Sequence, residues 1–462
     1  MDEARNLTEL STFLSTGRWD PAWICGQPLY ALPASLTCAL AGPTPLGLRL
    51  ASVLCGLLTL PAVYLFARSI ASRRTAWLAA WLVAVSHWHV IFSRIGFRAI
   101  LTPLAIALCG WALARAWQRP TWTRWLSFGA LCGVSWHAYF AFWLLPPLAF
   151  AALAVVALKR PPLRSRVAVS LTVFLILAGS WMLMVYARTG ALLSSRVTET
   201  NVFQQTPSPV PIAMNAARAL WMFTHRGDAQ PRHNVPGRPA WPLLLLPFLI
   251  AGMGRAVARP TPARLGLLAL WVATLLPTIF SDACPHHLRA LGNVVPTAIL
   301  TADGLVAGAA LLARRSRRLA ATLLFAFVIA GASGIGAYTY FVAYARQPAL
   351  RFAFQAKECE LARFIHDRLP SDRPVVVLNM VYGRESVGAL VRARSDVTFV
   401  AWPLGAPVPP QVRSAGRETV WAIPQPDLVR LNALLGAPSL LAYFGPADGA
   451  PDWHLVEYPR PH

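Results

Sequence analysis

Acidic and basic side chains that could act together in catalysis stand at the start of the chain. Asp2 and Glu3 are adjacent, and Arg5 follows them. A carboxylate can take the proton of an attacking hydroxyl, and a guanidinium can hold a phosphate. The same residues also suit the first turn of a surface helix, where acids favour the helix dipole and Leu7 and Leu10 lie at helical spacing. Asp2 and Glu3 are therefore candidate catalytic acids, with Arg5 as a candidate phosphate ligand.

Three further groups of basic side chains lie between apolar segments. They are Arg94 with Arg98, then Asp228 with Arg232 and His233, then His286, His287 and Arg289. Arginine forks bind phosphate oxygens, although interfacial arginines also extend to lipid headgroups and Asp228 could belong to a loop salt-bridge cluster. The paired histidines suggest a metal, but Asp282 is the one acid at ligand spacing. We therefore predict contacts with substrate or phosphate, with no metal centre and no cofactor.

Carboxylates are scarce in most of this chain. It has 462 residues, of which 56% are hydrophobic and 13% charged, whereas a soluble domain carries about 25% charged residues. Residues 1–344 contain eight acids, and residues 345–462 contain 11 acids against 13 Lys/Arg. The arginines form short clusters between apolar runs, which argues against a nucleic-acid partner. The seven cysteines show no metal or redox spacing.

The apolar runs predict an α-helical polytopic membrane protein with about ten transmembrane helices, since one span needs roughly 17–25 residues. Residues 125–158 are expected to form two short spans, and the other runs lie near 46–68, 75–92, 99–117, 167–187, 241–258, 265–281, 288–312 and 319–343. Every second loop is rich in Lys/Arg, which predicts that these loops are cytoplasmic. The intervening loops and everything after residue 344 would then lie outside. The predicted spans would be in contact with membrane lipids.

Two domains follow from this pattern. Residues 1–344 form the predicted membrane domain, with residues 1–45 as its first outer loop and residues 189–240 as a long outer loop. Residues 345–462 are expected to form a small extracytoplasmic α/β domain, with a helix over 351–369 and strands over 375–378 and 397–402. Residues 21–45 resemble an interfacial amphipathic piece. A polar outer N-terminus without a signal peptide is hard to insert, so we expect an upstream helix to be missing and such a chain to be inactive; a native N-out protein is the alternative.

Taken together, several motifs resemble those of GT-C glycosyltransferases, in the branch of protein O-mannosyltransferases and lipid A aminoarabinose transferases. The stretches that carry the resemblance are Asp2-Glu3-Ala4-Arg5, Gly26-Gln27-Pro28-Leu29-Tyr30, Ser93-Arg94-Ile95-Gly96-Phe97-Arg98, Arg226-Gly227-Asp228, Arg232-His233-Asn234 and Pro285-His286-His287-Leu288-Arg289. The resemblance implies inverting transfer of a sugar from a polyprenyl-phosphate carrier to a protein, lipid or glycan acceptor. It places this reaction at the extracytoplasmic face of a bacterial inner membrane.

By the same resemblance, Asp2 would activate the acceptor and Arg5 would hold the lipid phosphate. Two positions depart from the family pattern: Gln27 stands where some relatives carry Lys, and no second acid follows Arg98. The alternative function is a transporter or flippase of a lipid-linked or anionic solute. A transporter would favour inverted repeats and broken helices at the membrane midplane, and the sequence shows no repeat, which favours the enzyme.

Overall fold

The computed structural model describes residues 2–17, 28–190, 210–314 and 318–370, followed in the tail by 373–380, 387–388, 390–391, 394–403, 406–414, 419–435, 437–444 and 453–457. The chain divides into two compact units. One unit is Glu9–Arg346, and the other combines Met1–Thr8 with Gln347–His462.

The first unit is helical. Its helices are α1 (Asp2–Thr16, shared with the other unit), α2 (Ala31–Ala41), α3 (Pro45–Ile70), α4 (Arg73–Val85), α5 (His87–Ser93), α6 (Leu101–Gln118), α7 (Trp122–Ser135), α8 (Leu145–Lys159), α9 (Pro161–Thr189), α10 (Val210–Trp221), α11 (Leu246–Ala258), α12 (Pro262–Ala273), α13 (Leu276–Ile279), α14 (Val294–Arg314) and α15 (Arg318–Ala337). A π-helical turn, Tyr338–Tyr344, continues α15.

Seven helical segments in the described residues are long and apolar enough to cross a membrane, or eight if the bent pair α4–α5 counts as one span. The stretches Pro28–Ala41 and Leu243–Ala258 form shorter apolar helices. The predicted turn inside residues 125–158 is observed, because α7 ends at Ser135 and α8 begins at Leu145. The predicted class, a polytopic helical membrane protein with a small C-terminal sheet domain, is confirmed.

Glycines let neighbouring helices approach at backbone distance. A Cβ on Gly252 of α11 would stand 2.0 Å from the carbonyl oxygen of Leu300, and one on Gly304 of α14 would stand 2.0 Å from that of Phe248. Small residues permit such contacts in membranes, where burial of apolar surface does not drive helices together. Helix α14 thus packs closely against α11, and the segment Leu291–Ala313, which contains most of α14, is the most buried of the seven long segments.

Helices α4 and α5 are bent by 61° at Ser86. The bend needs no proline. A Cβ on Gly336 of α15 would stand 2.0 Å from the carbonyl oxygen of Val85, so α15 presses against the last turn of α4. Helix α5 leaves in a new direction and carries His87, Trp88 and Phe92 into the interior, where all three are buried.

One stretch differs from its predicted form. Residues 189–240 were expected to be a loop, yet Val210–Trp221 is helix α10. Pro211 lies in the first turn of this helix, where a missing backbone N–H costs nothing, so the proline-rich appearance concealed the helix. Residues 191–209 lie outside the described residues.

The tail of the second unit is an α/β domain around a five-stranded sheet. Its helices are α16 (Ala349–Ala353), α17 (Ala356–Arg368), α18 (Pro410–Ser414) and α19 (Gln425–Leu435), and its strands are β1 (Val375–Leu378), β2 (Val397–Val400), β3 (Val420–Pro424), β4 (Ser439–Phe444) and β5 (Trp453–Glu457). The strand order is β2-β1-β3-β5-β4. Strand β1 pairs in parallel with β2 and β3, and β5 pairs antiparallel with β3 and β4.

Alternate residues of this sheet face two cores. Val375 and Val377 pack with α17 residues such as Leu361, while Val376 and Leu378 pack with Leu431 of α19 and its neighbours. The helix predicted over 351–369 is observed as two helices, α16 and α17, separated at Phe354 and Gln355. Strand β1 matches its prediction, and β2 ends at Val400, two residues before the predicted end. Strands β3, β4 and β5 were not predicted.

Candidate functional site

Asp228 is the centre of a buried cluster at one end of the helical unit. The residue is 4% exposed. Its Oδ2 accepts the backbone N–H of His287 at 2.8 Å and lies 3.0 Å from Nδ1 of His233, while its Oδ1 accepts the backbone N–H of Gln230 at 2.8 Å. His287 stands 59 residues further along the chain. The carboxylate therefore fastens two distant segments together.

Backbone hydrogen bonds join the two ends of the loop that carries Asp228. Gly227 donates its N–H to the carbonyl of Gly237, and Gly237 donates its N–H to that of Asp228, both at 3.0 Å. The amide of Asn234 donates to the carbonyls of Asp228 and Arg238. Gly237 has φ +77, and a Cβ on Gly227 would meet the Arg238 carbonyl, so both positions require glycine. The loop is a rigid platform for its neighbours Arg232 and His233.

The histidines of the cluster are packed against one another and against α5. The ring of His233 lies 4.8 Å from that of His286 and 5.6 Å from Phe92. Trp88 lies 5.1 Å from the ring of His287 and donates its indole N–H to the carbonyl of His287. Helix α5 thus forms the aromatic wall behind the histidines.

Burial and hydrogen bonding set the charge states of this cluster. Burial opposes ionisation of Asp228, but the hydrogen bond with His233 and the neighbouring imidazoles prevail and hold its pKa below the usual range. Burial lowers the pKa of His287 to about 4, and its Nε2 accepts the backbone N–H of Asp228 at 3.3 Å. Burial also lowers the pKa of His286. At neutral pH, Asp228 is therefore a carboxylate, and His286 and His287 are neutral imidazoles.

Asp228, His233 and His286 each offer one ligand atom, and these atoms lie within 4.8 Å of one another. Such a carboxylate–imidazole set matches the donors preferred by zinc and manganese. The spacing argument from sequence did not find this group, because Asp228 and the histidine pair are brought together only by the fold. Most lone pairs of Asp228 are already engaged, and the prediction of no metal remains a prediction.

Three arginines lie on the segments that form the cluster. Arg289 is bonded to Ser281 and lies 3.2 Å from Oδ1 of Asp282, and its guanidinium lies 6.0 Å from the Phe140 ring. Arg94 is exposed at the end of α5, with its guanidinium 5.8 Å from the ring centre of Tyr340. Arg232 is half-buried beside His233.

The structure thus brings together seven of the predicted site residues, all within the unit Glu9–Arg346. They are Arg94, Asp228, Arg232, His233, His286, His287 and Arg289. Arg98 lies on the following turn, half-buried. Asp228 was predicted as a substrate ligand, and that role remains a prediction; its buried hydrogen bonds also hold the two segments of the site together.

The predicted catalytic acids lie on α1, in residues that cluster with the tail. The side chains of Asp2 and Arg5 lie outside the described residues, and Glu3 is half-buried. Their roles remain predictions. The described acids between residues 28 and 346 are Asp228, Asp282 and Asp303. Each has a basic or imidazole partner, and that of Asp303 is Arg255 at 3.1 Å.

Several contributors were missed from sequence. Trp88 and Phe92 pack on the histidines, and Tyr340 lies against the Arg94 guanidinium. Thr278 Oγ1 accepts the backbone N–H of His286 at 2.8 Å, and the Tyr344 hydroxyl donates to the Arg232 carbonyl. Only one signal in the sequence pointed to any of these residues. His87-Trp88-His89 places two histidines inside an apolar run, where ionisable residues are costly and therefore informative.

The site lies at the helix ends opposite the arginine-rich loops. Helix α11 begins after the Asp228 loop and ends at the cluster that contains Arg255 and Arg259, and α14 begins after Arg289 and ends at Arg314. By the positive-inside rule those clusters are cytoplasmic, so the site is predicted to be outside.

Two comparisons with known proteins bear on this architecture. Residues 26–185 match the family model described as dolichyl-phosphate-mannose-protein mannosyltransferase. No curated protein matches the chain.

Among solved structures, the chain is similar to ArnT from Cupriavidus metallidurans bound to undecaprenyl phosphate, with a TM-score of 0.62, 13% identity and coverage of 99% of this chain and 93% of that one. The comparison with the apo state of that protein has a TM-score of 0.57 and 14% identity, and covers 98% of this chain and 92% of that one. The comparison with the oligosaccharyltransferase of Archaeoglobus fulgidus in complex with Zn and sulfate has a TM-score of 0.51 and 14% identity. It covers 87% of this chain and 58% of that one. The resemblance to GT-C glycosyltransferases predicted from the sequence is confirmed. At these identities the structural likeness shows the fold.

Proposed function

We propose that this protein, an integral membrane protein with the GT-C fold, is an inverting glycosyltransferase. It moves a sugar from a polyprenyl-phosphate carrier to an acceptor hydroxyl at the outer face of a bacterial inner membrane. The observation that carries the proposal is that Arg94, Arg232 and Arg289 lie on the segments that contact one another in the buried Asp228–histidine cluster. The names of similar proteins support the donor class, since the matching family model names a dolichyl-phosphate sugar and the similar ArnT structure holds undecaprenyl phosphate.

The arginines suit the departing phosphate. When the acceptor oxygen attacks the anomeric carbon, the bond between that carbon and the phosphate oxygen breaks, and negative charge grows on the lipid phosphate. Guanidinium groups fixed near that charge stabilise the transition state. His286 and His287 are neutral imidazoles, so they add hydrogen-bonding capacity without adding positive charge.

The acceptor proton needs a base, and Asp2 or Glu3 fills that role in this proposal. The described acids between residues 28 and 346 support the assignment, because Asp228, Asp282 and Asp303 are engaged with basic or imidazole partners. We propose that Arg5 accompanies the base as a phosphate ligand. No cofactor is needed in this scheme, because a carboxylate and arginines supply the acid–base and electrostatic terms.

Turnover by the purified protein in lipid nanodiscs tests the proposal. A panel of polyprenyl-phosphate-linked sugars is offered with acceptors, and the release of polyprenyl phosphate is measured. Arg94→Ala and Arg289→Ala should each weaken donor binding roughly tenfold or more, the expected loss for a hydrogen bond to a charged group. Arg259→Ala, the same change at the opposite helix end, should bind like the wild type. If Arg94→Ala and Arg289→Ala bind the donor as well as the wild type does, these arginines would instead contact lipid headgroups.

A further inference from the structure

The last described span ends in a single π-helical turn, Tyr338–Tyr344. Such turns are rare, carry one more residue than an α-turn and occur frequently at functional sites. The turn packs against α5, the helix that leads to Arg94. It follows the close contact of Gly336 with Val85, so its start is fixed against the bend between α4 and α5.

Two tyrosines of this turn face the candidate site. Tyr340 and Tyr344 are stacked, with ring centres 5.9 Å apart and planes 17° from parallel. Tyr344 is 8% exposed, and its hydroxyl donates to the carbonyl of Arg232 at 3.0 Å. The guanidinium of Arg94 lies over the ring of Tyr340. Tyr338 and Phe341 of the same turn point away and are 57% and 66% exposed.

These contacts form a closed circuit around the predicted phosphate site. Tyr340 contacts Arg94, which follows Phe92 at the end of α5. Phe92 packs on His233, and the backbone carbonyl of the adjacent Arg232 accepts the Tyr344 hydroxyl. The two tyrosines therefore contact two of the arginines that we assign to the phosphate, Arg94 through its side chain and Arg232 through its backbone. An α-helical turn would rotate these tyrosines relative to the site. The π-helical turn therefore sets the orientation of both side chains towards the site.

We propose that Tyr340 and Tyr344 are positioning residues for the donor phosphate: Tyr340 holds the Arg94 guanidinium by a cation–π contact, and Tyr344 holds the Arg232 segment. The inference rests on the proposed function, because it assigns work to arginines whose ligand is the polyprenyl phosphate. An exposed arginine samples many rotamers. A ring face that restrains it lowers the entropy lost when phosphate binds.

Equilibrium binding of polyprenyl phosphate to the full chain in nanodiscs tests this role. Tyr340→Leu should weaken binding by about two- to thirtyfold, the range of a cation–π contact. Tyr340→Phe keeps the ring and should restore wild-type affinity, which a general packing defect would not predict. Phe341→Leu removes a ring from the opposite face of the turn and should bind like the wild type.

A double-mutant cycle separates positioning from simple destabilisation. In the Arg94→Ala background, Tyr340→Leu should cause no further loss, because the ring then has no guanidinium to hold. Tyr344→Phe should increase amide hydrogen exchange in the Asp228 loop. Additive losses at Arg94 and Tyr340, or a Tyr340→Leu variant that binds as well as the wild type, would overturn the inference. A wild-type protein that does not bind polyprenyl phosphate would instead overturn the proposed function.

Discussion

At the scale of single residues, the site combines a buried charged group, Asp228, with an exposed one, Arg94. Asp228 is buried and charged because three hydrogen-bonding partners compensate for its loss of water. Arg94 remains exposed and available. Rigid buried groups therefore define the shape of the site, while accessible guanidinium groups are proposed to bind the ligand.

Asp2 and Glu3 carry the predicted proton transfer. Asp2→Asn removes the basic oxygen but keeps the size of the side chain, so transfer should fall by about 10²- to 10⁴-fold, the usual contribution of a general base. Donor binding should survive, because the arginines are untouched. Glu3→Gln serves as the paired comparison, and the variant with the larger loss identifies the base. Full transfer in both variants would remove the two acids from the mechanism.

Asp228 should matter for structure more than for contact with the donor. Asp228→Asn leaves the backbone N–H of His287 with a weaker acceptor and should destabilise the protein by about 1–3 kcal/mol. Hydrogen exchange should then rise in both segments that the carboxylate joins, residues 227–238 and 286–289. Asp367→Asn is the control, because Asp367 is an exposed acid on α17. Protection that stays unchanged in Asp228→Asn would contradict the role of Asp228.

The low pKa of His287 gives the fold an acid sensitivity. Its pKa falls from 6.5 to about 4 on folding, so the unfolded chain binds a proton between these values and the native chain does not. Stability from this residue is full above pH 6.5 and declines as the pH falls towards 4, by about 2 kcal/mol at pH 5.

Thermal unfolding at pH 7 and pH 5 measures this effect. His287→Gln should show a smaller drop between the two values than the wild type, while His225→Gln, at an exposed histidine, should show the full drop. Equal pH dependence in the wild type and His287→Gln would show that His287 does not carry the effect.

At the scale of helices, glycine contacts position the segments that carry the site. Gly304→Ala would place a methyl group against the Phe248 carbonyl and force α14 away from α11, at a cost of about 1–3 kcal/mol. Gly308→Ala is a matched control on the same helix, because a Cβ there meets nothing within 4 Å. Melting temperatures in detergent should fall for the first variant and hold or rise for the second. Similar melting temperatures for both would contradict the close packing of α11 and α14.

The elements also show what sequence could and could not reveal. Apolar length predicted the spans, and arginine alternation predicted their directions, because the membrane imposes both. Helix α10 was missed since prolines at a helix start resemble those of a loop. The bond between Asp228 and the His287 backbone could not be predicted, because no local pattern relates segments 59 residues apart. The π-turn likewise depends on how α15 meets α4.

At the scale of the whole molecule, the predicted orientation can be examined directly. Cysteine substituted at Arg259 should be protected from a membrane-impermeant thiol reagent in intact cells, whereas cysteine at exposed Arg226 should be labelled. The reverse result would place the site in the cytoplasm and contradict an extracytoplasmic reaction.

The most direct measurement of the central claim is the position of the lipid phosphate on the protein. A polyprenyl phosphate analogue with a photoreactive group beside the phosphate is cross-linked to the protein in nanodiscs, and the modified residues are identified by mass spectrometry. We predict cross-links at residues 94–98, 228–238 and 286–289, abolished by excess polyprenyl phosphate. Cross-links confined to the opposite helix ends, around Arg255, Arg259 and Arg264, would contradict the account.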